Sequence, residues 1–357
     1  MKKVGIITLC SNDNYGNKLQ NYALKKSIEK MSFEVNTIWI DNAFESKNMK
    51  AFLKYIKNKL KDCFFEHKRK RIFKEFNRKY LNIFDKHVIF NNDLHKMDKS
   101  FNYFVVGSDQ VWNYNFMNNF KTYFMMNILK EKCFSYAASI GVNSIPSRYI
   151  KQYEDGIQHL NYISVREVKA KQIINQVFER TDVQVLVDPT MLLTAEEWDK
   201  ISRKPEQLKT DRYILNYFLG DLSEERKKEI DRIAKENNCE VINMLDKNSS
   251  FYQTGPSEFL HLEKNAFLVC TDSFHSSVFA IIYNRPFIVF EREQKSLESM
   301  NSRIETLINK FNLKNRKFTG RITEENLRHN YTEAYEILEK ERQKSNEFLK
   351  KALDIKE

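Results

Sequence analysis

Glycine is scarce in this chain, eight residues in 357, and neither G-x-G-x-x-G nor a P-loop occurs. That argues against a binding site built from glycine-rich phosphate loops. Cysteine forms no pattern either. The five residues, at positions 10, 63, 133, 239 and 270, show no C-x-x-C spacing and no nearby histidine pair, and an odd count fits a disulfide framework poorly. A reducing cytoplasm is the expected compartment, and no metal centre is expected. No apolar run is long enough to span a bilayer, and no repeat of fixed period recurs. The opening MKKVGIITLCSND has too short an apolar stretch for a membrane helix and reads as a first strand rather than a signal peptide.

What is present is a folding composition. Hydrophobic residues make up 41% and aromatics 13%, which excludes disorder, and the length exceeds the roughly 250–300 residues at which one core stops growing. Two domains are expected. The net charge of +11 favours an anionic partner, which nucleic acid, anionic lipid or an anionic small substrate would each satisfy.

Strand and helix patterns alternate along the chain. Val4–Leu9 is apolar and β-branched, a polar loop Cys10–Asn17 follows, and Leu24, Ile28 and Met31 recur at helical spacing. Val35–Ile40 is a second predicted strand. Residues 47–81 are densely basic, with Phe52, Ile56, Leu60 and Phe64 at four-residue steps and Phe73, Phe76 and Tyr80 continuing the stripe, which predicts one or two amphipathic helices. Further strands are predicted at Tyr103–Gly107, Cys133–Ala138, Tyr162–Val165 and Val183–Val187, with helices at about 146–160 and from Glu167 to Phe178. Thr194-x-x-Glu197 is a capping box, and the domain boundary is expected near 190–205.

The second half repeats the alternation: strands Tyr213–Leu219, Glu240–Leu245, Phe267–Thr271 and Phe287–Phe290, helices Ser223–Asn237, Pro256–Lys264, Ser273–Asn284 and Asn301–Phe311. Such order implies parallel sheets. The expected architecture is α/β: a doubly wound Rossmann-like domain over 1–195, a second over 196–320 facing it across a cleft, and a C-terminal helical extension, 321–357, packed outside. Ligands of such sheets bind beyond the carboxyl ends of the strands.

Four strand-end loops carry polar chemistry. Asn12-Asp13-Asn14-Tyr15-Gly16-Asn17, with Gln20 and Asn21 on the following turn, suits either sugar hydroxyls or an ordinary strand-to-helix turn. Ser108-Asp109-Gln110 offers a base or hydroxyl ligand, or a helix N-cap. Arg166 either clamps an anion in a bidentate fork or pairs with Glu167 or another carboxylate. In Thr271-Asp272-Ser273-Phe274-His275 a hydrophobic run stops and an apolar helix begins, so backbone N–H groups and the positive end of a helix dipole would face an anion beside the His275 imidazole. The histidines at 67, 87, 95, 159, 261 and 329 lie in charged or amphipathic stretches and receive no role.

NYGNKLQNYAL at 14–24, FVVGSDQVWN at 104–113, SYAAS at 135–139, ISVRE at 163–167, VDPTMLL at 187–193, FLHLEKNAFLVCTDSFH at 259–275, NRPFIVF at 284–290 and SRIETLI at 302–308 stand in order. Through them the chain resembles the polysaccharide pyruvyl transferase family from the N-terminus to about residue 315. The resemblance implies a GT-B-like fold and transfer of an enolpyruvyl unit from phosphoenolpyruvate to two hydroxyls of a sugar, giving a cyclic ketal, with no metal or redox cofactor. It implies His275 as general acid/base or as a hydrogen-bonding partner of the departing phosphate, and Arg166 as a ligand of donor phosphate or carboxylate. Ser273, Ser276, Ser277, Lys295 and Arg303 would complete the donor side, and Asn14, Gly16, Asn17, Gln20, Ser108, Asp109 and Gln110 the acceptor side.

Two departures stand out: Ser273 where some members carry arginine, and His275-Ser276-Ser277 in place of His-Gly-Thr. A GT-B glycosyltransferase using a nucleotide sugar is the alternative enzyme. The acceptor is expected to be a saccharide of a bacterial surface polysaccharide, free or lipid-linked. Nucleic acid is not expected as a partner. The basic stretch 47–81 either rests on the inner face of an anionic membrane or is a solvated face over a packed aromatic stripe.

Overall fold

The computed structural model describes residues 1–10, 13–44, 68–85, 87–90, 93–117, 119–292 and 301–355. The chain divides into two compact units, Met1–Leu192 with Arg342–Glu357, and Leu193–Glu341.

In the first unit, β1 (Lys3–Ile7) leads through a polar loop to α1 (Tyr15–Glu29) and β2 (Glu34–Ile38). The single predicted strand Val35–Ile40 is in fact two. Beyond Ile38 the chain leaves the main sheet, and β3 (Ile40–Phe44) pairs in parallel with β4 (Val88–Phe90), after α2 (Lys68–Phe76). Backbone bonds from Thr37 N to Asn82 O and from Val88 N to Trp39 O, at 3.1 and 2.8 Å, hold that branch. β5 (Tyr103–Val106), β6 (Cys133–Ser135), α3 (Ser147–His159), β7 (Ser164–Val165), α4 (Val168–Phe178) and β8 (Gln184–Val185) complete the unit. β6 ends three residues earlier than its apolar pattern suggests, because Ala137 adopts a left-handed backbone (φ 45°).

The main sheet runs β2-β1-β5-β6, all parallel, with Val4 opposite both Val35 and Tyr103. Parallel bridges from Phe134 to Tyr162 and from Ala138 to Val165 carry it on towards β7 and β8. Val4, Ile6 and Ile7 are fully buried, as a central strand covered on both faces requires. The core beside it is aromatic: Trp112 stacks on Phe124 at 5.2 Å and Tyr153 on Phe178 at 6.2 Å.

Of the basic stretch, residues 47–67 lie outside the described residues. Over 68–81 the aromatic stripe is packed inward. Phe73 meets Tyr15 at 5.0 Å, while Phe76 and Tyr80 meet Tyr22 at 6.5 and 5.9 Å. Lys68, Arg71, Lys74, Arg78 and Lys79 are exposed, whereas Arg69 is buried and donates to Tyr15 Oη (2.8 Å) and Asp13 O (3.0 Å).

The second unit opens with the capping box at Thr194: its hydroxyl accepts from Glu197 N, and Glu197 Oε2 accepts from Thr194 N, starting the short helix Ala195–Asp199. β9 (Tyr213–Tyr217), α5 (Glu224–Glu236), β10 (Glu240–Asn243), α6 (Pro256–Asn265), β11 (Leu268–Thr271), α7 (Phe274–Ile282), β12 (Phe287–Val289) and α8 (Asn301–Lys310) follow. The sheet is parallel with order β10-β9-β11-β12.

The C-terminal segment divides between the two units. α9 (Thr332–Ala352) belongs to the second unit through Glu341 and to the first from Arg342. Tyr335 Oη donates to Ile281 O at 3.0 Å, whereas Arg342 Nε donates to Met191 O at 2.7 Å and Phe348 packs on Tyr136. Among the described residues no helix is long and apolar enough to cross a membrane.

Candidate functional site

In each unit the strand order reverses once beside the first strand, and the two loops flanking that reversal hold the polar side chains. Helices leaving on opposite faces open a crevice there at the carboxyl ends of the strands.

In the first unit the reversal lies between β1 and β5. Asn14 caps α1, its side chain accepting from Asn17 N at 3.0 Å, and Gly16 is buried in the first turn. Gln20 joins the two strand ends: its amide nitrogen donates to Thr8 Oγ1 (2.9 Å), and its oxygen accepts from Ser108 N (2.9 Å). Gly107 must be glycine. Its φ is +127°, and a Cβ would stand 2.2 Å from Tyr136 O. No helix starts after Ser108-Asp109, so the N-cap alternative fails; Asp109 instead takes φ 66° and is buried. Asn17 Nδ2 donates to Asp109 Oδ2. Gln110 accepts from Asn113 Nδ2 at 2.9 Å.

Arg166 reaches this cluster, but not as an open anion clamp. Its guanidinium, 2% exposed, donates to Asp188 Oδ2 at 2.6 Å and to Asp109 Oδ1 at 3.2 Å. Desolvation pulls its pKa down, and the Asp188, Asp109 and Glu167 carboxylates outweigh that and hold it above the ordinary arginine value. A phosphate brought to this group would face two carboxylates, and in the structure the guanidinium makes the second arrangement the sequence allows, a pairing with carboxylates that braces Asp109. The ion pair is buried and uses Asp109 and Asp188 rather than Glu167, whose carboxylate accepts from Ser139 Oγ and Gly141 N at 2.9 and 3.0 Å. Asp188 also accepts from Ser108 Oγ, Thr190 N and Thr190 Oγ1.

In the second unit the reversal lies between β9 and β11. Asp272 spans it, accepting from Leu219 N at 2.7 Å and Gly220 N at 2.8 Å, while Arg292, just past β12, donates to Asp272 Oδ2 at 3.0 Å. This clamp fixes the turn from which α7 starts. Ser273 occupies the N-cap position without a side-chain cap bond, and its own N–H donates to Thr271 Oγ1 at 3.0 Å. His275 sits in the first turn of α7, 8% exposed. The serine hydroxyls point elsewhere: Ser276 Oγ donates to Glu263 Oε1 at 2.6 Å and Ser277 Oγ to Ser273 O at 3.0 Å, both fully buried. Glu263 on α6 is fully buried, and desolvation raises its pKa well above 4.5, outweighing the lowering effect of the hydrogen bond from Ser276.

Arg303 is buried on α8, and Glu305 on the same helix pairs with Lys317. Lys295 lies outside the described residues. Sequence inspection missed Asp188, Arg292 and Glu263. For Arg292 a signal existed, since it follows a predicted strand end directly.

A sequence profile of the polysaccharide pyruvyl transferase family matches residues 14–294. Among curated proteins no match is found. A Listeria monocytogenes protein assigned as a UDP-N-acetylglucosamine 2-epimerase is similar in structure, with TM-score 0.54 at 10% identity over 98% of this chain and 90% of that one. A UDP-GlcNAc 2-epimerase of Methanocaldococcus jannaschii gives 0.45 at 17% identity (95% and 99% covered), and Acinetobacter baumannii MurG 0.40 at 9% (96% and 95%). At these identities the likeness is one of fold, the GT-B-like pairing of Rossmann-type units. With the profile covering both strand-order reversals, the chain belongs to the polysaccharide pyruvyl transferase family.

Proposed function

We propose that the protein transfers the enolpyruvyl group of phosphoenolpyruvate to two hydroxyls of a sugar in a surface polysaccharide or its lipid-linked precursor, forming a cyclic ketal. The observation that carries this reading is His275 in the first turn of α7 at the strand-order reversal, with Asp272 and Arg292 fixing the turn. One sugar hydroxyl adds across the enol double bond, its oxygen to the central carbon and a proton to the methylene carbon. The second hydroxyl displaces phosphate from the central carbon, and inorganic phosphate leaves. His275 is assigned proton delivery or hydrogen bonding to that phosphate, aided by the positive end of the α7 dipole. Ser273, Ser276 and Ser277 would contribute backbone N–H groups, and Lys295 and Arg303 positive charge, on the donor side.

Asp109 is assigned deprotonation of the acceptor hydroxyl, with Asn17 and Arg166 holding its carboxylate, and Asn14, Gly16, Gln20, Ser108 and Gln110 shaping the loops around it. No cofactor enters these steps.

The test is release of inorganic phosphate that requires both phosphoenolpyruvate and a saccharide acceptor. His275→Ala is expected to slow it about 10²–10⁴-fold. Thermal stabilisation by a nucleoside diphosphate, with none by phosphoenolpyruvate, would instead favour a nucleotide-sugar glycosyltransferase.

A further inference from the structure

Lys18 stands on the first turn of α1, at the β1–β5 reversal, and is 2% exposed. Among the described residues its ammonium makes no hydrogen bond and has no carboxylate within ion-pair distance; it lies over the Trp39 ring at 4.7 Å. Burial pushes its pKa down to about 8, with Cys10 and Asp13 pulling the other way.

Among the described residues the Trp39 ring face and the longer-range attraction of Cys10 and Asp13 are what support a cation here, with no hydrogen bond or ion pair beside them. The amino end of a helix is already positive, and this first turn holds no acidic residue to offset it. A methionine or leucine would fill the space over Trp39 without the desolvation cost of a charge. A buried amine that breaks the local rule, at the place where α/β sheets bind ligands, has the character of a functional group. Helix terminus and ammonium share one preference, an anion. Asn17, the neighbouring residue on this turn, donates to Asp109.

We propose that Lys18 and the amino-terminal turn of α1 form an anion site that takes a phosphate-ester oxyanion of a substrate. The ligand supplies the directly bonded anionic partner that Lys18 does not have among the described residues, where Asp13 and Cys10 act on it only at longer range. Two sources share that chemistry, phosphoenolpyruvate and a phosphate-linked saccharide acceptor. Naming these two rests on the proposed function; the anion site itself is read without turnover.

The experiment is competitive amine labelling of the full chain across a pH series, with the yield at Lys18 read by mass spectrometry. Without ligand, Lys18 is expected to titrate near 8. Saturating inorganic pyrophosphate is expected to shift that titration upward, slowing labelling below the midpoint about tenfold. Lys18→Met is expected to weaken pyrophosphate binding about tenfold or more, and Lys18→Arg to retain it. Should Lys18→Met fail to fold, the wild-type titration still decides.

Phosphoenolpyruvate and glucose 1-phosphate are run as separate arms. A shift with the first alone assigns the site to the donor, with the second alone to the acceptor, and with both to phosphate esters generally. A Lys18 that never labels, or whose titration no phosphate moves, overturns the proposal. A shift in a protein that shows no pyruvyl transfer leaves the anion site standing and removes the proposed reaction.

Discussion

Glu263 shows how one buried group couples stability to pH. Its carboxyl is fully buried, and its pKa lies well above 4.5 because desolvation penalises the charged form. As pH rises past 4.5 the unfolded chain releases this proton while the native chain keeps it, so the native state binds more protons and stability falls with rising pH. Glu263→Gln keeps an oxygen to accept from Ser276 and has no proton to lose. Its melting temperature is therefore expected to exceed that of wild type at neutral pH, with the difference shrinking as pH falls towards 4.5. Calorimetry from pH 4.5 to 8 measures this; a difference that stays constant with pH would show that Glu263 ionises normally. Arg166 presents the opposite case, a buried charge that is compensated twice. Arg166→Met would leave Asp109 and Asp188 without their counter-charge and is expected to cost about 3–5 kcal/mol in urea unfolding. Arg166→Lys keeps the charge but lacks the planar fork that reaches both carboxylates, so it should recover only part of that loss.

At the scale of elements, the features readable from sequence were those written into one segment. The Thr194–Glu197 capping box, the stop at Thr271 and the helix after it depend on neighbours a few residues apart, and they stand where the pattern puts them. β4 escaped notice because three residues between polar neighbours carry no periodicity. The Asp109–Arg166–Asp188 brace joins positions 57 and 22 residues apart, and only the sheet brings them together. In the same way, the bond from Ser276 to Glu263 joins residues 13 apart and exists only because α6 lies against α7. The helix α2 separates two readings of the basic stretch. Its aromatic face is occupied by Tyr15 and Tyr22, and its exposed face carries Lys68, Arg71 and Lys74. Replacing those three by glutamine should change unfolding free energy by no more than about 0.5 kcal/mol, because exposed charges contribute little. If the basic face meets anionic lipid, the same variant should lose sedimentation with anionic vesicles. Salt-insensitive absence of binding by the wild type would end the membrane reading.

For the whole molecule, α9 is the element that sequence periodicity described least well. Ala334, Ile337 and Leu338 mark an apolar stripe, yet a stripe does not say which core it joins. The first part of the helix is bound to the second unit through Tyr335, while Arg342, Lys344 and Phe348 bond or pack within the first. A single helix thus serves two cores, and removing its last turns tests them separately. Deleting 342–357 strips the first unit of Phe348, Leu349 and Leu353, all buried, and of the bonds to Met191 and Val185. Each lost large apolar side chain costs about 2–5 kcal/mol, so three exceed much of the roughly 5–15 kcal/mol that stabilises a typical domain. The first unit should therefore unfold at lower temperature, and brief proteolysis should degrade residues before 192 first. The second unit retains Tyr335 and its own sheet, so a protected fragment beginning near 193 is expected. Simultaneous loss of both units in calorimetry and proteolysis would instead show that they unfold as one cooperative body.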